Sequence, residues 1–140
     1  MNIRFITKVL VLVAILSSQS YGFWGNSSID KVKNGAFNIN PNITVEKAFD
    51  RCSNFTSVSW TDEDGRNGED LVVVKAKLTN KIVRELRASG TIIMQYYFLV
   101  DGDNFELIQV VANNNGRLTP TATRNYPETI EKALQDVYAN

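Results

Sequence analysis

Residues 44–78 read TVEKAFDRCSNFTSVSWTDEDGRNGEDLVVVKAKL, and the changes of hydrophobic period along this stretch decide the fold. Thr44 is a suitable N-cap for a short amphipathic helix with apolar residues at helical spacing. The period then changes to two, which predicts a strand that carries Trp60. A polar turn with two glycines follows at 61–70, and the valine-rich run at 71–78 predicts a second strand.

The most apolar run after the N-terminal region is residues 91–100, TIIMQYYFLV. Alternation along a strand separates its side chains into two faces. One face would carry Ile92, Met94, Tyr96, Phe98 and Val100. The other would carry Ile93, Tyr97 and Leu99. Because both faces are apolar, we expect a central strand that is covered on both sides or that binds a partner.

The rest of the chain predicts one more hairpin and two helices. Residues 80–88 predict a short connecting helix, which Gly90 ends. The DGDN sequence at 101–104 is a hairpin signal, and residues 105–112 return as the paired strand. The NNNG sequence at 113–116 is expected to end that strand. A loop with Pro120 then leads to a closing helix, whose apolar stripe contains Ile130, Ala133, Leu134, Val137 and Tyr138.

These elements predict an α+β fold in a single small domain at residues 44–140. The expected architecture is an antiparallel sheet of about four strands with helices packed on one face. Residues 23–43 are polar, with scattered apolar side chains that follow no sustained period. We therefore expect them to form an extended N-terminal arm, in which Phe37 and Ile39 belong to a short edge strand.

The first 22 residues have the three parts of a secretory signal peptide. Arg4 and Lys8 provide a cationic region, VLVLVAIL at 9–16 is apolar, and a polar segment ends at Gly22. The apolar run of eight residues is well short of the roughly 20 that a membrane span needs. The pattern predicts cleavage after Gly22, export to the periplasm or the medium, and no stable membrane span afterwards.

Composition narrows the possible functions. The chain has 15 basic and 15 acidic residues, so its charge shows no preference for nucleic acid. It contains no histidine and one cysteine, Cys52, which excludes His-dependent nucleophilic sites and the usual zinc sites. Cys52 lies in phase with the apolar face of the first helix, so we expect a buried and unreactive thiol. A reactive or intermolecular thiol is the alternative.

The acidic residues of the predicted turns do not form a recognisable site. The turn at 61–70 contains five carboxylates, but their spacing does not match a calcium-binding EF-hand loop. The same residues, with Asp101 and Asp103, could be imagined as the paired carboxylates of a glycosidase. Turns offer no apolar setting that would raise a carboxyl pKa for acid catalysis. We therefore expect no catalytic residues, no metal and no cofactor.

Several short motifs resemble a family of small exported bacterial proteins. They are VKNGAF at 32–37, TVEKAFD at 44–50, SVSW at 57–60, Gly65-Arg66, DGDNFEL at 101–107 and the terminal VYAN. Members of that family carry a T-V-x-x-A-x-D helix, an S-x-x-W strand, a G-R turn, an F-E-L strand and a terminal I-Y-x-N helix. This chain departs from the pattern at Cys52 and at an insertion, Asn67-Gly68. The resemblance implies export and a small fold of this kind, and it implies no chemistry.

The function expected from these observations is that of an exported, non-catalytic module that binds a protein partner. The candidate binding residues are Trp60, Ile93, Tyr97 and Leu99. The alternative is a small-ligand or inhibitor-type domain that uses aromatic side chains of the sheet, Trp60, Tyr96 or Tyr97. The remaining alternative, an enzyme with paired carboxylates, lacks a suitable setting for its acid.

Overall fold

The computed structural model describes residues 27–139. The helices are α1 (Ser28–Asn34), α2 (Val45–Arg51), α3 (Asn80–Glu85) and α4 (Pro127–Tyr138). The strands are β1 (Phe55–Asp64), β2 (Asp70–Leu78), β3 (Ile92–Asp101), β4 (Asn104–Asn114) and β5 (Arg117–Thr123). The predicted signal peptide and the residues up to 26 lie outside the described residues.

The five strands form one antiparallel sheet in the order β1-β2-β3-β4-β5. Each strand pairs with the next along the chain, so every connection within the sheet is local. The α+β class is confirmed, but the sheet has five strands rather than about four.

The strand that the sequence analysis missed is β5. It follows a turn at Asn115 and Gly116, which have φ angles of 55° and 94°. Positive φ at both central residues is typical of a type I′ hairpin, for which Asn-Gly is the favoured pair. Pro120 had suggested a loop. Its missing N–H is tolerated because β5 is an edge strand, and a register shift of the β4–β5 pair lies beside it.

Residues 28–34 form a helix, so the expected extended arm is wrong for this segment. The side chain of Ser27 caps α1 by accepting a hydrogen bond from the Asp30 N–H. Val32 and Phe37 are both buried in the main core, and Asn38 and Ile39 lie in a turn rather than an edge strand. A helix of seven residues with one buried side chain shows no periodicity that a sequence pattern could reveal.

The main core lies between the helices and one face of the sheet. Phe49 of α2 is at its centre, with ring centroids 4.9 Å from Tyr96 and 6.5 Å from Phe98. The predicted stripe of α4 is confirmed, since Ile130, Leu134 and Val137 are buried against the same core. These aromatic and aliphatic contacts provide the hydrophobic burial that stabilises the domain.

A smaller apolar cluster closes the end of the sheet near α3. Leu78, Val83 and Ile92 form this cluster, together with partly buried neighbours from β1, β3 and β4. The helix ends at Glu85, earlier than predicted, because Arg87 adopts a left-handed φ of 58°. All four described helices therefore pack on one face of the sheet, as predicted.

Cys52 caps the C-terminal end of α2 and is buried, as its helical phase predicts. Its Sγ lies 3.8 Å from the carbonyl oxygen of Asp136 in α4. The thiol therefore lies between two packed helices. Among residues 27–139, no helix is long and apolar enough to cross a membrane.

Candidate functional site: the helix-free face of the sheet

The second face of the sheet carries no described helix, and we call it the helix-free face. Strand register assigns its residues, because residues directly opposite one another on neighbouring strands share a face. Leu71 of β2 lies opposite Leu99 of β3, and Val73 lies opposite Tyr97. Ile93, on the same face of β3, lies opposite Lys77. The predicted set Ile93, Tyr97 and Leu99 is therefore confirmed as lying on one face.

The centre of the helix-free face is apolar and its borders are charged or polar. Leu99 lies between Leu71 and Glu106, and Tyr97 lies between Val73 and Gln109. Val73 has an exposed fraction of 0%, whereas Ile93, Tyr97 and Leu99 are half-buried. On the helix-free face, the partly exposed side chains of β3 therefore lie beside a buried valine, Val73.

Tyr97 is the most versatile side chain of the helix-free face. Its hydroxyl donates a 3.0 Å hydrogen bond to Oε1 of Gln95, two residues along β3. Partial burial, with a smaller contribution from the negative charge of Glu63, raises the pKa of Tyr97. The phenol therefore stays neutral at physiological pH and offers a flat apolar ring with one polar end.

Trp60, the fourth predicted binding residue, lies on the opposite face of the sheet. It pairs with Val74, and its ring meets Phe49 edge-on at 5.8 Å. Nζ of Lys33 lies 5.4 Å from the centre of the indole ring, and it also forms a 3.4 Å ion pair with Glu46. Trp60 is therefore an edge residue of the helix-side core, and the structure does not bring it together with Tyr97.

Tyr96 also belongs to the core rather than to a binding surface. It is buried beside Phe49, and burial raises its pKa well above the usual range, with smaller contributions from Cys52 and Asp136. Of the three aromatic residues considered for a ligand groove, the helix-free face carries Tyr97 alone. The sequence could not show this, because Trp60 and Tyr97 lie on different strands whose relative register was unknown.

The carboxylates of the β1–β2 hairpin lie at an exposed tip. Burial, followed by the hydrogen bond and charge of Asp70 and the charge of Asp64, raises the pKa of Asp62. The hydroxyl of Ser28 donates to Oδ2 of Asp70, which connects α1 to the hairpin. Within the described part of the chain, no group of three or more His, Cys, Asp or Glu residues could hold a metal ion.

The two ends of the sheet carry opposite charge, which the sequence analysis did not recognise. Residues 62–70, at the tip of the β1–β2 hairpin, contain five acidic residues and one basic residue. Residues 75–90, which run through α3 at the other end, contain five basic residues and one acidic residue. The signal was present in the sequence as two oppositely charged segments, but only the antiparallel register shows that they lie at opposite ends.

The chain matches no protein-family model, no curated protein and no solved structure. The resemblance to small exported bacterial proteins therefore stays a prediction.

Proposed function

We propose that this chain is an exported, non-catalytic module that binds a protein partner on its helix-free face. The observation that carries the proposal is the position of Ile93, Tyr97 and Leu99. These apolar side chains of a central strand lie together on the one face of the sheet that no described helix covers. Contiguous apolar surface on a small domain is a feature of protein interaction sites.

The composition of the face supports a protein partner. A half-buried tyrosine with a polar end, next to Val73 and Leu99 and bordered by polar and charged residues, resembles the apolar centre and polar rim of protein interfaces. Completing the burial of each such side chain contributes at most about 1.5–3 kcal/mol, so a few of them would carry much of the binding energy. Export is proposed from the pattern at residues 1–22.

The small-ligand alternative receives less support from the geometry. Trp60 and Tyr96, two of its three candidate aromatic residues, pack in the helix-side core and lie on the opposite face of the sheet from Tyr97. A lone tyrosine on a sheet face provides one stacking surface, whereas a small ligand needs a concave site that buries most of it.

Site-specific photo-crosslinking in the native envelope tests the proposal. A photoreactive phenylalanine analogue would replace Tyr97 in one variant and Lys47, an exposed residue of α2 on the helix side of the sheet, in the other. We expect one discrete protein adduct from position 97, and we expect Leu99→Ser to abolish it while the melting temperature shows that the domain stays folded. Equal adduct patterns from both positions, or none from position 97, would contradict the proposed site.

A further inference from the structure

One end of the sheet carries a group of cationic side chains that form no ion pair with another residue of the 27–139 segment, and we call it the basic end. Its exposed members are Lys77 at the end of β2, Lys81, Arg84 and Arg87 in and after α3, and Arg117 at the start of β5. The three salt bridges between residues of the 27–139 segment involve other side chains. Basic residues therefore outnumber acidic ones at this end, where Glu85 is the one carboxylate among residues 75–90.

The backbone of the basic end is held by specific contacts. The hydroxyl of Thr79 caps α3 by accepting from the Ile82 N–H, and Val83 anchors the helix in the smaller apolar cluster. On the other side of the end, the Thr91 N–H donates to Oδ1 of Asn115 in the β4–β5 turn. The cations belong to three elements, β2, α3 and β5, and these contacts hold the three elements in one packed structure.

Two exposed leucines lie at the same end. Leu86 at the C-cap of α3 and Leu118 beside Arg117 are each 60% exposed. Exposed apolar side chains combined with lysine and arginine are typical of surfaces that lie in the interface of a membrane. A surface that binds its partner by charge alone would gain nothing from exposed leucines.

The opposite end of the molecule is acidic. The two ends therefore carry opposite charge, although the formal net charge of the chain is zero. Asp62, Asp64 and Asp70 belong to the five acidic residues at the tip of the β1–β2 hairpin, residues 62–70, where Arg66 is the one basic residue. A negatively charged surface would attract the basic end and repel this hairpin. The charge distribution therefore selects one orientation.

We propose that the basic end binds the surface of a bilayer containing anionic phospholipids, with Leu86 and Leu118 inserted among the headgroups. The cations would be attracted by the negative surface potential, and the leucines would add apolar burial. Nucleic acid fits less well, because its recognition uses phosphate and base-edge contacts and gains nothing from exposed leucines. The basic end adjoins the helix-free face, because Lys77 and Leu118 lie on that face by strand register. Arg84 and Leu86 belong to α3 and its C-cap, so their variants test the basic end without altering the helix-free face.

Co-sedimentation with vesicles tests the proposal. The exported protein would be mixed with vesicles of phosphatidylcholine alone or with 30% phosphatidylglycerol (roughly the anionic content that creates a substantial surface potential). We expect at least about tenfold stronger binding to the anionic vesicles at low salt, and a marked loss as salt screens the surface.

Three double variants identify the surface. Arg84→Glu with Arg117→Glu should lower binding at least about tenfold, whereas Lys47→Glu with Lys132→Glu makes the same charge change outside the basic end and should lower it far less. Leu86→Ser with Leu118→Ser should lower binding several-fold at unchanged charge, which distinguishes a bilayer from a soluble polyanion. Thermal melts of each variant verify folding.

Three results would overturn the proposal. They are equal binding to both vesicle types, equal loss in the two charge variants, and no effect of the leucine substitutions. If the leucine variant kept full affinity for both vesicles and a heparin column, the basic end would be a general polyanion site. None of these variants changes Ile93, Tyr97 or Leu99, so the photo-crosslink from position 97 tests the helix-free face by a separate readout. Of the substituted residues, Leu118 lies on that face, opposite Asn113.

Discussion

The ring of Phe37 packs edge-on against the ring of Phe105, with 5.4 Å between the ring centroids. This contact connects the segment after α1 to the β3–β4 hairpin, and Phe37 also reaches Phe98 and Tyr138. The N-terminal segment is therefore part of the core. Removing residues 23–40 would unfold or destabilise the domain. A variant without these residues is therefore unsuitable for testing whether the N-terminal segment covers the helix-free face.

Phe37→Ala should lower the free energy of unfolding by about 3–5 kcal/mol, because it removes a buried aromatic side chain and leaves a cavity. Urea denaturation followed by circular dichroism provides the measurement. Ile39→Ala is the control, since Ile39 is 42% exposed and its loss should cost less than about 1 kcal/mol. Equal effects of the two substitutions would contradict the placement of Phe37 in the core.

Arg87→Gly should stabilise the protein by about 0.5–1 kcal/mol, because a non-glycine residue is held at a positive φ after α3. Arg84→Gly makes the same chemical change inside α3 and should instead cost about 1 kcal/mol. Chemical denaturation of both variants measures the difference. A destabilising Arg87→Gly change would show that the left-handed turn is not formed in solution.

Cys52 should react slowly with a thiol reagent in the folded protein and quickly after denaturation, because its thiol is packed between α2 and α4. A Cys52→Ala, Ser59→Cys variant is the control, as Ser59 is exposed on β1. Its thiol should react at the rate of the denatured protein. Rapid labelling of native Cys52 would mean that this region opens readily.

Stability should fall as the pH rises above about 10, the usual pKa of tyrosine in an unfolded chain. Burial raises the pKa of Tyr96 and of Tyr138, so the unfolded state loses these protons before the folded state does. The unfolded state then binds fewer protons, and the free energy of unfolding decreases with pH. Denaturant titrations between about pH 9 and 11, one unit either side of the ordinary pKa, give the slope.

Tyr138→Phe should flatten that alkaline decrease and leave stability at neutral pH unchanged or higher by about 1 kcal/mol. The Tyr138 hydroxyl is buried and makes no hydrogen bond to any residue between 27 and 139, so its removal sacrifices no described bond. Tyr126→Phe is the exposed control and should leave the pH profile unchanged. A loss of stability in Tyr138→Phe would reveal a partner for this hydroxyl.

Local patterns in the sequence were sufficient to predict most elements of the fold. The Thr44 cap, the alternation along Thr91–Val100 and the stripe of α4 each arise from interactions within a few residues, and each is found in the structure. α1 and β5 were missed for local reasons as well. α1 is too short to show a hydrophobic period. In β5, Pro120 suggested a loop, although Asn115-Gly116 is a hairpin-turn signal.

The candidate surfaces depended on information that no local pattern contains. The sequence alone determined that Ile93, Tyr97 and Leu99 share a face, because alternation is a property of one strand. Only the tertiary structure placed Trp60 on the opposite face and Leu71 and Val73 beside Leu99 and Tyr97, because strand register joins residues far apart in sequence. The same is true of the charged ends. Lys81 and Arg117 lie at the same end of the sheet, away from the acidic hairpin tip. They do so because β2 ends and β5 begins at that end of the antiparallel sheet.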